Sequence, residues 1–254
     1  MSNESILITG GTGKLGKRFV HHFAGAGWHV FFTSTSEDRA RQLEAEVAGV
    51  TPNVTGLCCD LTDSNSIDQL LSRLESNNIR INHLVNNARS LGAASQNEDG
   101  TTNRTNFMDE YLIDVVAPYE LSIGLWKQQP DALRTITNIS SQYGIVASNR
   151  ALYGDNPTKL SPIQYNVAKA ALNHLTRELA VRFAPEDVRV NAVAYGGVEG
   201  RVDTGFMERY AKLAPNGRML SEEEVPGPLA FLLSEQSSSM TGQVIQADGG
   251  WTIW

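Results

Sequence analysis

The chain has 254 residues, a formal net charge of −7 and a hydrophobic content of 41%, which suits a globular protein of one large domain with a substantial core or of two small ones. The charge argues against nucleic acid or an anionic membrane as partner, and no apolar run approaches the roughly 20 residues that span a bilayer. No basic segment with a long apolar run opens the chain, and the adjacent Cys58 and Cys59 suit neither a disulfide nor a metal framework, so a cytoplasmic, metal-free protein is expected.

In chain order, a first strand is predicted at residues 6–8, then the loop "TGGTGKLG" and a helix over 14–26 with Leu15, Phe19, Val20 and Phe23 at helical spacing. A second strand at 30–32 precedes a helix over 37–48, with Ser36 as N-cap and Glu37 and Asp38 in its first turn. A third strand at 54–59 leads through "CDLTD" into a helix that ends near residue 75. A fourth strand at 83–85 is followed by the polar, irregular "RSLGAASQNEDGTTN" and one long helix from about 106 to 127. A fifth strand at 135–139, a long helix at 163–183 and a sixth strand at 188–193 come next. The segment 195–220 has no strand pattern; a helix near 222–234 and a strand at 243–246 close the chain.

Strand and helix alternate throughout, which predicts a parallel sheet covered on both faces. No linker, repeat or low-complexity break divides residues 1–254, so a single doubly wound Rossmann-type domain is expected. In such sheets ligands sit beyond the carboxyl ends of the strands. The segments after strands 1, 4, 5 and 6 are therefore where chemistry is expected.

The loop after strand 1 is open to two patterns. Gly11, Gly13 and Gly16 spell G-x-G-x-x-G, while Gly10, Gly13 and Gly16 spell T-G-x-x-G-x-x-G. Either lets backbone N–H groups approach a pyrophosphate at the N-terminus of the following helix. Gly10, Gly13, Lys14, Leu15 and Gly16 are the candidate cradle. The end of strand 2 reads Thr33-Ser34-Thr35-Ser36, without the acid that commonly binds the ribose of NAD. Ser34, with Lys14 and Arg39 as possible partners of a 2′-phosphate, favours NADP(H) over NAD(H), which stays possible.

Tyr165 and Lys169 lie four apart in "YNVAK" at the start of a predicted helix and so share a face. A fixed ammonium favours the phenolate of a neighbouring tyrosine. Such a tyrosine can give a proton to a carbonyl oxygen or take one from an alcohol. Ser140 and Ser141 in "NISSQYG", just past strand 5, could hold the substrate oxygen beside it.

With these residues in place the chain resembles the short-chain dehydrogenase/reductases over essentially its whole length. The supporting stretches run in family order: "TGGTGKLG", "CDLTD", "LVNNA", "NISSQYG", "YNVAK", "VRVNAVAYGG" and "MTGQVIQADGG". The resemblance implies a seven-stranded parallel sheet in the order 3-2-1-4-5-6-7. It implies Ser141 as the serine that orients substrate, Tyr165 as acid/base, and Lys169 as its modulator and a ligand of the nicotinamide ribose. It further implies Asp60 and Leu61 beside adenine, Asn87 and Ala88 along the cofactor, and Val198 near the carboxamide. Homodimers or homotetramers built on helices 106–127 and 163–183 are expected on the same ground.

The chain departs from the family pattern in several places. Lys14 replaces the middle glycine of the common loop, and "NNAG" reads "NNAR" with Arg89. The helix asparagine that supports a proton-relay water is Asp114, and Tyr195 stands in the proline place of "PGG". Ser141 and Tyr165 are 24 apart, about twice the usual spacing, so "VASNRALYGDNP" reads as an inserted lid.

That lid and the segment after strand 6 bring Asn149, Arg150, Asp155, Asn156, Glu199, Arg201 and Asp203 toward the substrate. A hydrophilic small-molecule carbonyl or alcohol is expected. The lid and "GRML" resemble reductases of bacterial surface-sugar and flagellin-glycosylation pathways. The alternatives are a 3-oxoacyl or small-ketone reductase, and a non-catalytic NADP(H)-sensing protein, whose relatives lack the Tyr-Lys pair.

Overall fold

Apolar runs bounded by turn residues become seven parallel strands of one sheet. The computed structural model describes residues 4–49, 53–154 and 160–254. Its strands are β1 (Ser5–Ile8), β2 (His29–Ser34), β3 (Val54–Cys58), β4 (His83–Asn86), β5 (Thr135–Ser141), β6 (Arg189–Tyr195) and β7 (Val244–Ala247). Their order is β3-β2-β1-β4-β5-β6-β7, as the family resemblance implies. Chain order reverses between β1 and β4, where Ile6 pairs with His83 and Ile8 with Val85. The mouth of a ligand crevice is expected there.

Both faces of the sheet are covered, which is why the strands read as continuous apolar runs. Side chains alternate along a strand. Ile6 and Ile8 therefore pack on one face, with Phe19 and Phe23 of α1 (Lys14–Gly25), Leu43 of α2 (Glu37–Ala48) and Leu229 of α8 (Pro226–Leu233). Leu7 faces the other way, toward Leu70 of α3 (Ser64–Ser76), Leu121 of α5 (Ala117–Gln128) and Leu179 of α6 (Ile163–Phe183). Ser36 caps α2 as expected, its side chain accepting from Arg39 N at 3.3 Å.

Three stretches differ from the sequence reading. The long helix expected over 106–127 is three pieces: α4 (Arg104–Tyr111), a π turn (Leu112–Val116) and α5. Pro118 has no N–H to give to the carbonyl of Asp114, so the α ladder cannot run through it. The Ala117 N–H instead reaches back five residues to Leu112 O, which widens the turn around Asp114. The segment after β6 holds a helix, α7 (Thr204–Leu213), capped by Asp203, whose side chain accepts from Phe206 N at 2.8 Å. Its Tyr210 packs with Leu152, Met219 and Trp251 into a third small core. The helix expected near 222–234 begins as a 3₁₀ turn, Glu222–Glu224, before Pro226 opens α8.

At the amino end of β4, His83 is 3% exposed and held between Thr135 Oγ1 (2.7 Å) and Glu4 Oε2 (3.0 Å). Burial pushes its pKa down to about 4, against the opposing pull of Glu4. The unfolded chain therefore binds a proton below about pH 6.5 that the folded chain refuses until about pH 4. His83 is thus expected to cost the fold up to about 3 kcal/mol as pH falls through that window, with no cost above it. Urea unfolding of wild type and His83→Gln across pH 4–7 checks this: the variant's stability is expected to vary less with pH.

Candidate active site

The carboxyl ends of the strands open into a cleft of about 840 Å³. It runs from Gly10 and Gly16 after β1, past Ser34 at the end of β2 and Asp60 and Leu61 after β3, to Asn87 and Ala88 after β4. Ser141, Tyr165, Lys169 and Val198 line its other end. Gly13, Lys14 and Leu15 also line it, so every residue expected to be catalytic or to touch the cofactor, except Asp114, borders this one space.

The glycine loop is built for close backbone approach. Gly10 has φ +65°, and a Cβ there would lie 2.8 Å from Ala88 Cα. A Cβ on Gly16 would run into Gly10 O, and one on Gly11 would meet the Phe32 side chain at 2.5 Å. Thr9 ties this loop to the next: its Oγ1 accepts from Asn87 N and Ala88 N, both at 2.9 Å. Asn87 Nδ2 donates to Thr9 O at 2.8 Å. The cradle, with α1 opening behind it and no acid in that helix's first turn, fits a pyrophosphate.

The basic residues expected near a 2′-phosphate separate. Lys14 turns away from β2: its ammonium donates to Val198 O (3.3 Å) and to Glu199 O, and pairs with Glu222 (3.6 Å). It locks the glycine loop to the segment after β6. Arg39 stays at the β2 end, lines the cleft and donates from Nη2 to Thr35 Oγ1 at 3.2 Å. Ser34 Oγ lies 3.1 Å from Thr12 Oγ1.

At the other end, Lys169 Nζ donates to Asp114 Oδ1 (3.0 Å) and Ile139 O (2.9 Å), and lies 5.7 Å from the centroid of the Tyr165 ring. Ser141 ends β5, and its Oγ accepts from Tyr143 N at 3.1 Å. Asp114 sits behind the cleft wall, 1% exposed, in the π turn. Burial raises its carboxyl above the usual carboxylate range, against the opposing pull of the Lys169 ammonium and Arg89.

Sequence reasoning missed two features. Glu110 on α4 is fully buried beside Asp114; burial, then the Asp114 charge, push its carboxyl up to about 7. The spacing Glu110–Asp114 in "DEYLID", four residues apart, was the available signal. The second feature is an aromatic wall of the cleft, made by Tyr143, Tyr153, Phe206 and Tyr210. Tyr143 and Tyr153 share a hydrogen bond between hydroxyls (2.7 Å), and Tyr210 donates to Gln142 Oε1 at 2.9 Å. Of the polar residues expected at the substrate, Arg201 lines the cleft. Asn149 caps the 3₁₀ turn Arg150–Tyr153, Asp203 caps α7, and Arg150 and Glu199 are not part of the lining. Asp155 and Asn156 lie outside the described residues. Among the described residues no cluster of His, Cys, Asp or Glu could hold a metal, and no helix is long and apolar enough to cross a membrane.

A doubly wound sheet with a glycine cradle, a serine at the end of β5 and a Tyr-Lys pair on α6 defines a nicotinamide-dependent oxidoreductase of the Rossmann type. The chain belongs to the short-chain dehydrogenase/reductase family: a family model described as enoyl-(acyl carrier protein) reductase matches residues 13–252. It is 26% identical to "Post-translational flagellin modification protein A" of Campylobacter coli over 258 residues, covering 100% of both chains. It is 31% identical over 263 residues to a 3-oxoacyl-(acyl-carrier-protein) reductase of Thermotoga maritima, covering 100% of this chain and 99% of the relative. Among solved structures, a Leptospira borgpetersenii short chain dehydrogenase with bound NAD+ superposes with a TM-score of 0.85 at 24% identity, covering 99% of this chain and 94% of the other. The Pseudomonas aeruginosa RhlG/NADP complex gives 0.87 at 22%, covering 99% and 97%.

Proposed function

We propose that this chain is an NADP(H)-preferring reductase that interconverts a carbonyl and a secondary alcohol on a polar, sugar-like substrate. The observation that carries the reading is that Ser141, Tyr165 and Lys169 line the same cleft as the glycine cradle. The nicotinamide cofactor supplies or accepts hydride when bound. The Tyr165 hydroxyl gives the proton to the substrate oxygen, or removes it in the reverse direction. Ser141 holds that oxygen, its own lone pair fixed by the Tyr143 N–H. Lys169, anchored by Asp114 and Ile139 O, keeps its charge beside the phenol.

NADP(H) preference is supported by the lack of a carboxylate at residues 33–36 and by Arg39 at the cleft edge. Arg39→Ala is expected to weaken NADPH binding about tenfold or more, as loss of a charge-assisted hydrogen bond does, and to leave NADH nearly unchanged. Fluorescence titration with both cofactors checks it; equal losses would reverse the assignment.

A sugar-like substrate is supported by Arg201 in the lining and by the Campylobacter coli relative, whose name refers to flagellin modification. The aromatic wall and the Thermotoga maritima relative favour a second reading, a 3-oxoacyl or small-ketone reductase. NADPH oxidation followed by absorbance over keto-sugars, 3-oxoacyl thioesters and simple ketones separates the two. Binding of NADPH with no oxidation by any of them would instead favour a sensing role. A homo-oligomer built on α4–α6 is supported by the exposed Met108, Tyr119, Ile163, Val167 and Val181 on these helices.

A further inference from the structure

Two departures from the family pattern meet around the Tyr165–Lys169 pair. Asp114 replaces the helix asparagine and places a buried carboxylate 3.0 Å from Lys169 Nζ. Arg89 replaces the glycine of "NNAG", and its guanidinium carbon lies 4.1 Å from the centroid of the Tyr165 ring. The carboxylate offsets much of the field that the ammonium exerts on the phenol. The guanidinium adds a positive field of its own at the ring face, where a cation is attracted most strongly to an electron-rich phenolate. Among the described residues no carboxylate is in ion-pair contact with Arg89, so its charge is not cancelled by direct contact.

We propose that Arg89 and Asp114 are a compensating pair, in which Arg89 supplies to the Tyr165 phenol the positive charge that Asp114 withdraws from Lys169. Among the described residues Tyr153, in the 3₁₀ turn after β5 and hydrogen-bonded to Tyr143, interacts with Tyr165, and Glu110 on α4 interacts with Asp114, Arg89 and Lys169. Burial and the Asp114 charge raise Glu110 to about 7; above that pH its carboxylate is present in wild type and in every variant compared below, so it does not distinguish them. Besides it, the Lys169 and Arg89 cations and the Asp114 carboxylate leave one net positive charge around the phenol. The family pattern, with glycine and asparagine in the two places, also leaves one, that of the lysine. Either departure alone would change that sum; together they preserve it. Arg89 is a positioning residue in this sense, acting through Tyr165.

The functional meaning of the pair rests on Tyr165 being the acid/base, but the electrostatics are measured without cofactor or substrate. Tyrosine labelled with 13C at Cζ reports ionisation by NMR, and Tyr165→Phe identifies the Tyr165 resonance among the seven tyrosines. Arg89→Met is expected to move the Tyr165 titration midpoint about one pH unit upward, and Asp114→Asn about one unit downward. The double variant is expected to return within about half a unit of wild type, and Arg89→Lys to keep most of the wild-type behaviour. Arg89→Met without a shift, shifts of the two single variants in the same direction, or a wild-type resonance that never ionises before the protein unfolds would overturn the proposal. If one single variant fails to fold, the other and Arg89→Lys still decide it. Opposed shifts in a protein that reduces no carbonyl would leave the pair standing and remove the reductase reading.

Discussion

Tyr165→Phe is expected to lower kcat by about 10²–10⁴-fold, the usual worth of a positioned general acid. The affinity for NADPH is expected to stay within about twofold of wild type, because the change deletes one oxygen and leaves the ring. Lys169 is held by Asp114 Oδ1 and Ile139 O, neither of which depends on the phenol, so the ammonium stays in place in the variant. The Arg89 contact is to the ring face, which phenylalanine retains. Steady-state rates with any carbonyl that the wild type reduces, alongside a cofactor titration, check both halves. Undiminished turnover would move the proton-transfer role elsewhere, with Ser141, which lines the same cleft, the alternative.

The second large effect is on stability. Lys169 and Asp114 form an ion pair with side-chain exposures of 6% and 0%. Lys169→Met removes the cation and leaves the carboxylate buried with one protein partner fewer. Breaking such a pair costs about 3–5 kcal/mol, mostly from the stranded charge. For a chain of this size that corresponds to a fall of roughly 6–20 °C in Tm. Adding Asp114→Asn to Lys169→Met removes the stranded charge and is expected to recover most of the loss while turnover stays absent. Thermal unfolding of the two variants separates the roles: on the proposed mechanism turnover is lost in both, while stability is lost only where Asp114 is left charged. A Lys169→Met protein as stable as wild type would mean that Asp114 carries a proton in the native state and that the pair is not ionic.

Much of the architecture was legible because its cause is local. Strands buried on both faces read as short apolar runs, and Ile6, Leu7 and Ile8 needed no alternation to be recognised. Helix α6 matches its expected bounds at both ends, with Phe183 its last buried residue. The π turn was not visible, since hydrophobic spacing stays helical through it; Pro118 alone hinted that the ladder must change. Helix α7 was hidden among Gly205, Pro215 and Gly217, although Phe206, Tyr210 and Leu213 carry helical spacing.

In the site, the placement of residues fixed by one loop and one helix turn at a common cleft was readable: the cradle glycines, Ser141, and Tyr165 with Lys169. Residues whose roles depend on distant chain segments were not. Lys14 was expected at a phosphate, but it is drawn to carbonyls more than 180 residues away, at Val198 and Glu199. The burial of Glu110 follows from how α4 packs on α6, and glutamate on a helix ordinarily signals solvent. The placement of Arg89 over Tyr165 joins the loop after β4 to α6 and has no signature in either stretch alone.

Carbonyl reduction by these residues requires a nicotinamide ring lying between the glycine cradle and the Tyr165 hydroxyl. A crystal structure of the protein with NADP+ tests that most directly. The expected result is the pyrophosphate over Gly10–Gly16 and the ring's C4 facing the hydroxyls of Tyr165 and Ser141, with the ribose against Lys169. A dinucleotide bound with its nicotinamide turned out of the cleft, or a cleft that takes none, would contradict it.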